Sequence, residues 1–160
     1  LLRVHSESLL QAVLETEVTG VMRLDPDTML SPASAEAALR AAGSGIAAVD
    51  AVMSGEVPVA FCAVRPPGHH ATGGESMGFC LFNNVAVAAA HALEQHSLTR
   101  VAVIDFDVHH GNGTQAIFES DPPGSAVSGY RPTPRTGRGQ PDQRAAGCRH
   151  RQPGLPRRLD

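Results

Sequence analysis

The chain has no lysine, no tryptophan and a single tyrosine among its 160 residues. Every formal side-chain cation other than histidine is therefore arginine, a bias we attribute to base composition rather than to function. Cysteine is scarce. Cys62, Cys80 and Cys148 are far apart and show no CxxC spacing, which excludes a disulfide framework and a cysteine-based zinc site. No apolar run reaches the length of a membrane span, and no basic-then-apolar leader follows Leu1. A cytoplasmic protein with no membrane partner is the expectation. With 42% hydrophobic and 18% charged residues the composition is that of a globular chain. Charge is uneven. Residues 1–120 carry 5 Arg against 13 Asp and Glu, so no direct nucleic-acid binding is expected; residues 121–160 carry 8 Arg against 3 Asp.

Apolar periodicity organises the first 121 residues. Leu9, Leu10, Val13 and Leu14 predict a helix over 5–18 with Ser6 as its cap. Asp25-Pro26-Asp27 reads as a turn. A second helix is predicted from Ser31-Pro32 to Gly55, with Leu39, Ala42, Ile46, Val49 and Met53 on its apolar stripe. Gly43 and Gly45 permit close packing there. Val57–Val64 reads as a buried strand that includes Cys62, Asn84–Leu93 as a buried helix, and Val101–Ile104 as a second buried strand. A short helix is predicted over Thr114–Phe118. Strand, helix, strand implies parallel pairing and an α/β fold. From Pro122 onward neither a strand nor an amphipathic helix can be drawn, because Arg, Pro and Gly dominate.

Two constellations carry chemistry. Directly after the VAVI strand comes Asp105-Phe106-Asp107-Val108-His109-His110-Gly111-Asn112-Gly113. Alternation puts Asp105, Asp107 and His109 on one face and sends Phe106 and Val108 the other way, into packing. The C-terminal end of a parallel strand is where open α/β sheets bind ligands, and Asp oxygen and His nitrogen both suit zinc. The second constellation is Arg65-Pro66-Pro67-Gly68-His69-His70, followed by Gly78-Phe79-Cys80. Adjacent imidazoles there suit acid–base work near neutral pH. Short motifs of either kind also arise as strand-end caps or loop histidines. His91 and His96 read as surface or satisfied core histidines. Nothing near Cys80 predicts an activated thiolate.

RPPGHH, MGFCLFNNVAVAA and VIDFDVHHGNGTQAIFE, in this order, resemble the zinc-dependent histone deacetylase family, including its class II and bacterial amidohydrolase branches. A weaker match falls on DPDTMLSPAS. The resemblance implies an arginase/deacetylase-like α/β fold, a parallel sheet with flanking helices, of which this chain holds part. It also implies hydrolysis of the acetamide of acetyl-lysine or another acetylated amine. Asp107 and His109 would then be ligands of one Zn²⁺, His70 the general base and His69 its electrostatic partner. Asp105 would pair with His69, and Asn112 would contact His70. Gly78 and Phe79 would line the tunnel for the acyl-lysine stem. A monovalent cation near Asp105 is also implied.

The resemblance covers residues 1–121, about half of such a catalytic domain. The family's third zinc ligand, a later Asp, and its carbonyl-polarising tyrosine have no counterpart motif here. The expectation is an incomplete, inactive fragment, with residues 122–160 a basic tail that is disordered or out of frame. A non-catalytic binding remnant of the same fold and another arginase-fold metallohydrolase are the alternatives.

Overall fold

A computed structural model describes residues 1–119 and the backbone of Ala126–Tyr130. The elements run α1 (Glu7–Leu14), β1 (Met22–Asp25), β2 (Thr28–Leu30), α2 (Ser34–Met53), α3 (Asn84–Gln95), β3 (Arg100–Asp105), α4 (Asn112–Phe118) and β4 (Ala126–Tyr130). No helix among the described residues is long and apolar enough to cross a membrane.

Helix α1 forms on its predicted stripe but covers only Glu7–Leu14 of the expected 5–18, with Ser6 Oγ accepting the Leu9 N–H. Leu9 and Val13 sink into a core with Leu30, Ala38, Leu81 and Phe82. The Asp-Pro-Asp turn joins β1 to β2 as an antiparallel hairpin, whose two short strands the sequence reading left out. Helix α2 starts at Ser34, two residues later than the expected first helical residue Pro32. Ser31 and Ser34 instead close a turn on each other, the Ser31 N–H donating to Ser34 Oγ and the Ser34 N–H to the Ser31 carbonyl. The buried face of α2 is also rotated from the expected one. Ala38, Ala41 and Ala42 are buried, whereas Leu39 and Met53 are exposed. Small residues win because α3 packs close: a Cβ on Gly45 would stand 3.1 Å from Ala88 Cβ. The two helices run in the same direction, since Gly45 meets Asn84 and Ala88 while Asp50 meets His91 and His96.

Strand β3 forms as expected and pairs in parallel with β4, giving a β3–α4–β4 unit. The βαβ pattern is thus present, one unit further along the chain than predicted. Residues 57–64 form no strand, and no described strand pairs with them. Phe61 is 91% exposed, and Cys62 is exposed rather than a core residue. An extended apolar segment needs a ladder partner to become a strand, and none is present among the described residues. Phe106 and Val108 are exposed too, at 87% and 67%, instead of packed. Strand β4 lies in the stretch where none was expected. Backbone pairing against the open edge of β3 supplies what the Pro- and Gly-rich text lacks. Apart from that backbone, the expectations for residues 122–160 lie outside the described residues.

Candidate active site

The histidine pair is brought to the DxDxH segment by a helix that has no side-chain cap. Helix α4 begins at Asn112, and its orphan N–H groups at Gly113 and Thr114 both donate to the His69 carbonyl, at 3.0 and 3.1 Å. The loop carrying His69 and His70 therefore docks on the first turn of α4. Asn83 secures that docking from the other side. It is fully buried and caps α3 by accepting the Ala86 N–H at 3.1 Å. Its amide nitrogen donates to the Ala71 carbonyl at 3.0 Å and to Thr114 Oγ1 at 3.1 Å. His5 completes the frame, accepting the Asn83 N–H on Nε2 and donating from Nδ1 to the Thr72 carbonyl, each at 2.9 Å.

Within this frame the two imidazoles lie side by side, ring centroids 4.1 Å apart. His69 Nδ1 stands 2.7 Å from Asp105 Oδ2, and His70 Nδ1 stands 2.7 Å from Asn112 Oδ1. Carboxylate and amide oxygens only accept, so both rings carry hydrogen on Nδ1 and present Nε2 as the remaining nitrogen. A Cβ on Gly111 would collide with Asp105 Oδ2, so the residue must be glycine for Asp105 to reach His69.

After Asp105 the chain coils instead of continuing as a strand. Asp105 Oδ1 accepts the Asp107 N–H at 3.1 Å, and Asp107 Oδ1 accepts the His109 N–H at 2.7 Å. Each is an Asx-type turn that competes with extended backbone. The His109 N–H, more than its imidazole, holds the Asp107 carboxyl below the usual carboxylate range, against a smaller opposing effect of burial. Asp107 Oδ1 and His109 Nδ1 are 3.0 Å apart. That is close to the roughly 3.3 Å between two donors on a tetrahedral zinc with bonds of about 2.0–2.1 Å. This O,N pair therefore fits a zinc ion, and the His109 ring lies 6.0 Å from that of His70. Among the described residues no third His, Cys, Asp or Glu atom completes a three-donor set there.

Gly78 and Phe79 form a turn in which both have positive φ, 58° and 65°, closed by the Cys80 N–H on the Met77 carbonyl. Gly78 backs directly onto His70: a Cβ there would sit 2.6 Å from His70 Cγ. Phe79 is exposed beside it. The hairpin turn holds this loop, a link the sequence reading missed. Asp27 Oδ1 accepts the Gly78 N–H at 3.1 Å and Thr28 Oγ1 accepts the Phe79 N–H at 3.0 Å. Its signal was the DPDT text, legible as a turn but not as an anchor. Cys80 is buried, and burial pushes its thiol up, which keeps it inert.

Residues 1–152 match the histone deacetylase domain family, so the match continues past residue 121, where the text changes character. The chain is 46% identical over 125 residues to polyamine deacetylase HDAC10 of Homo sapiens, covering 74% of this chain and 19% of that protein. It is 48% identical over 118 residues to a histone deacetylase-like amidohydrolase of Pseudomonas aeruginosa, covering 74% of this chain and 31% of that protein. The crystal structure of the HDA15 HD domain superposes with a TM-score of 0.74 at 40% identity, covering 80% of this chain and 36% of that one. The chain thus spans well under half the length of these relatives, and its partial α/β fold is of the arginase/deacetylase type. It belongs to the histone deacetylase domain family.

Proposed function

We propose that this chain carries part of a zinc-dependent deacetylase centre of a cytoplasmic enzyme, acting on acetyl-lysine or another acetylated amine. The observation that supports it is the pair of adjacent imidazoles with Nδ1 tied to two different acceptors, Asp105 and Asn112, beside an O,N donor pair. Asp107 and His109 would hold the zinc. Zinc bound there supplies polarisation of the acetamide carbonyl and acidification of water. His70, oriented by Asn112, takes the proton of the attacking water on Nε2 and returns it to the leaving amine. His69, paired with Asp105, is the electrostatic partner that steadies the charge gained by His70. Gly78 and Phe79 flank the alkyl stem of the substrate. Asp105, with neighbouring carbonyls, would also hold a monovalent cation.

Two donors hold zinc weakly, so the 160-residue chain alone is expected to release no acetate from an acetyl-lysine peptide. The direct test is a chimera in which residues 1–119 replace the matching segment of the Pseudomonas aeruginosa amidohydrolase. We expect zinc-dependent acetate release that His70→Ala abolishes. A folded, zinc-loaded chimera without turnover refutes the assignment of roles, and turnover by the chain alone refutes the inactive-fragment reading.

A further inference from the structure

Asp50, His91 and His96 meet far from the histidine pair. His91 Nε2 and His96 Nε2 approach the same oxygen, Asp50 Oδ1, at 2.7 and 2.8 Å. All three donor atoms lie within 4.8 Å of one another. Asp50 belongs to the last turn of α2, His91 to α3, and His96 is the C-cap of α3. His96 leads into β3, whose far end carries Asp105. Five steps of extended backbone separate the strand's ends by about 17 Å.

We propose that Asp50, His91 and His96 form a second metal site, selective for a divalent transition ion of the Zn²⁺ type. The donor set argues for that class: two imidazole nitrogens and one carboxylate oxygen suit zinc and its neighbours, whereas Mg²⁺ and Ca²⁺ take oxygen ligands. The geometry needs little change. Two donors on a tetrahedral zinc sit about 3.3 Å apart, so each contact opens by roughly half an ångström. Each neutral imidazole moves its single ring hydrogen from Nε2, where it bonds Asp50, to Nδ1, and the freed Nε2 lone pair turns to the ion. The electrostatics also favour a cation, because both helices present their C-terminal, electronegative ends here. The imidazoles are largely buried, and the Asp50 side chain is 52% exposed, which leaves an open side for a solvent ligand. A bound ion would clamp α2 to α3 at the end of the helix pair opposite the candidate active site.

The test is Co²⁺ titration of the full chain followed by visible absorption, with Zn²⁺ stoichiometry from equilibrium dialysis. We expect the double variant Asp107→Asn/His109→Gln to retain one ion per chain. Asp50→Asn and His96→Gln, checked by circular dichroism, should each weaken that ion by more than about 100-fold, beyond the roughly 10- to 100-fold loss of an outer-shell partner. In the unaltered chain, Zn²⁺ should shift the imidazole nitrogen resonances of His91 and His96, a readout that needs no variant to fold. Unmoved resonances at these two histidines overturn the proposal. So does an ion retained by folded Asp50→Asn and His96→Gln. Neither result bears on the deacetylase centre, which the chimera tests separately.

Discussion

His70 donates its Nδ1 hydrogen to Asn112 Oδ1 at 2.7 Å, and that single bond decides which nitrogen of the ring stays free of hydrogen. Asn112 is itself oriented by donating to Met77 Sδ at 3.4 Å, so its carbonyl oxygen is the end that meets the imidazole. Neutral His70 is therefore expected in the Nδ1–H form, observable as a long-range ¹H–¹⁵N pattern. Asn112→Ala should shift it toward the Nε2–H form that free imidazole favours. The same variant should lower turnover of the chimera by about 10- to 100-fold, the usual cost of losing an orienting partner. An unchanged tautomer would show that packing, rather than Asn112, orients the ring.

Gly78 is predicted to tolerate no side chain. Its φ is 58°, and a Cβ would sit 2.6 Å from His70 Cγ and 2.8 Å from His70 Cβ. Positive φ alone costs an L-residue about 1–2 kcal/mol, and displacement of the imidazole adds to it. Gly78→Ala should lose about 2 kcal/mol or more in urea unfolding. Gly74→Ala, with nothing within 4 Å of the new methyl, should stay within about 0.5 kcal/mol. Equal losses at the two positions would contradict the contact.

Helices whose apolar stripe or cap is local, α1 and α3, were legible in the sequence because their signals lie within one or two turns. The same holds for the members of the histidine and DxDxH constellations, each written as a contiguous motif. Partners distant in sequence were not legible. Nothing in the text around Asp27 and Thr28 announces that they hold the Gly78–Phe79 turn, 51 residues on. Nor does Asp50 announce His91, 41 residues away. Val57–Val64 shows the converse failure. Its apolar run correctly signals a demand for burial, but a strand exists only where another strand completes its ladder. Phe61 remains exposed because that demand is not met among the described residues.

Asn83 is predicted to be the most sensitive polar position. One side chain caps α3, binds the Ala71 carbonyl and reaches Thr114 on α4, all without solvent exposure. Asn83→Ala removes the cap, worth about 0.5–2 kcal/mol, and leaves a buried carbonyl unsatisfied at about 1–3 kcal/mol. The expected loss of about 2–4 kcal/mol should appear as a lower urea midpoint. Asn83→Asp keeps the cap acceptor but sets a buried carboxylate oxygen against the Ala71 carbonyl, so it should restore none of the loss. Full restoration would mean that the Ala71 and Thr114 bonds contribute nothing.

Stability should fall as pH drops through the range just below neutrality, and His5 is the reason. Burial is the largest effect on its imidazole and holds it below the ordinary value of 6.5, outweighing the hydrogen bond to the Thr72 carbonyl. Its Nε2 accepts the Asn83 N–H and has no room for a proton. The unfolded chain therefore binds a proton below about pH 6.5 that the folded chain refuses. This contribution is fully present above that pH and is lost progressively below it. Asp50 and Asp107 act in a lower window. Hydrogen bonds from His91 and His96 lower Asp50, and the His109 N–H lowers Asp107, each from an ordinary value of 3.8. Their contribution is lost only as pH falls below that value. Urea midpoints measured from pH 8 to pH 5 should therefore decline for the unaltered chain. His5→Gln, which can still accept from Asn83, should start lower and show a flatter profile. A slope that His5→Gln leaves unchanged would assign the acid sensitivity to another histidine.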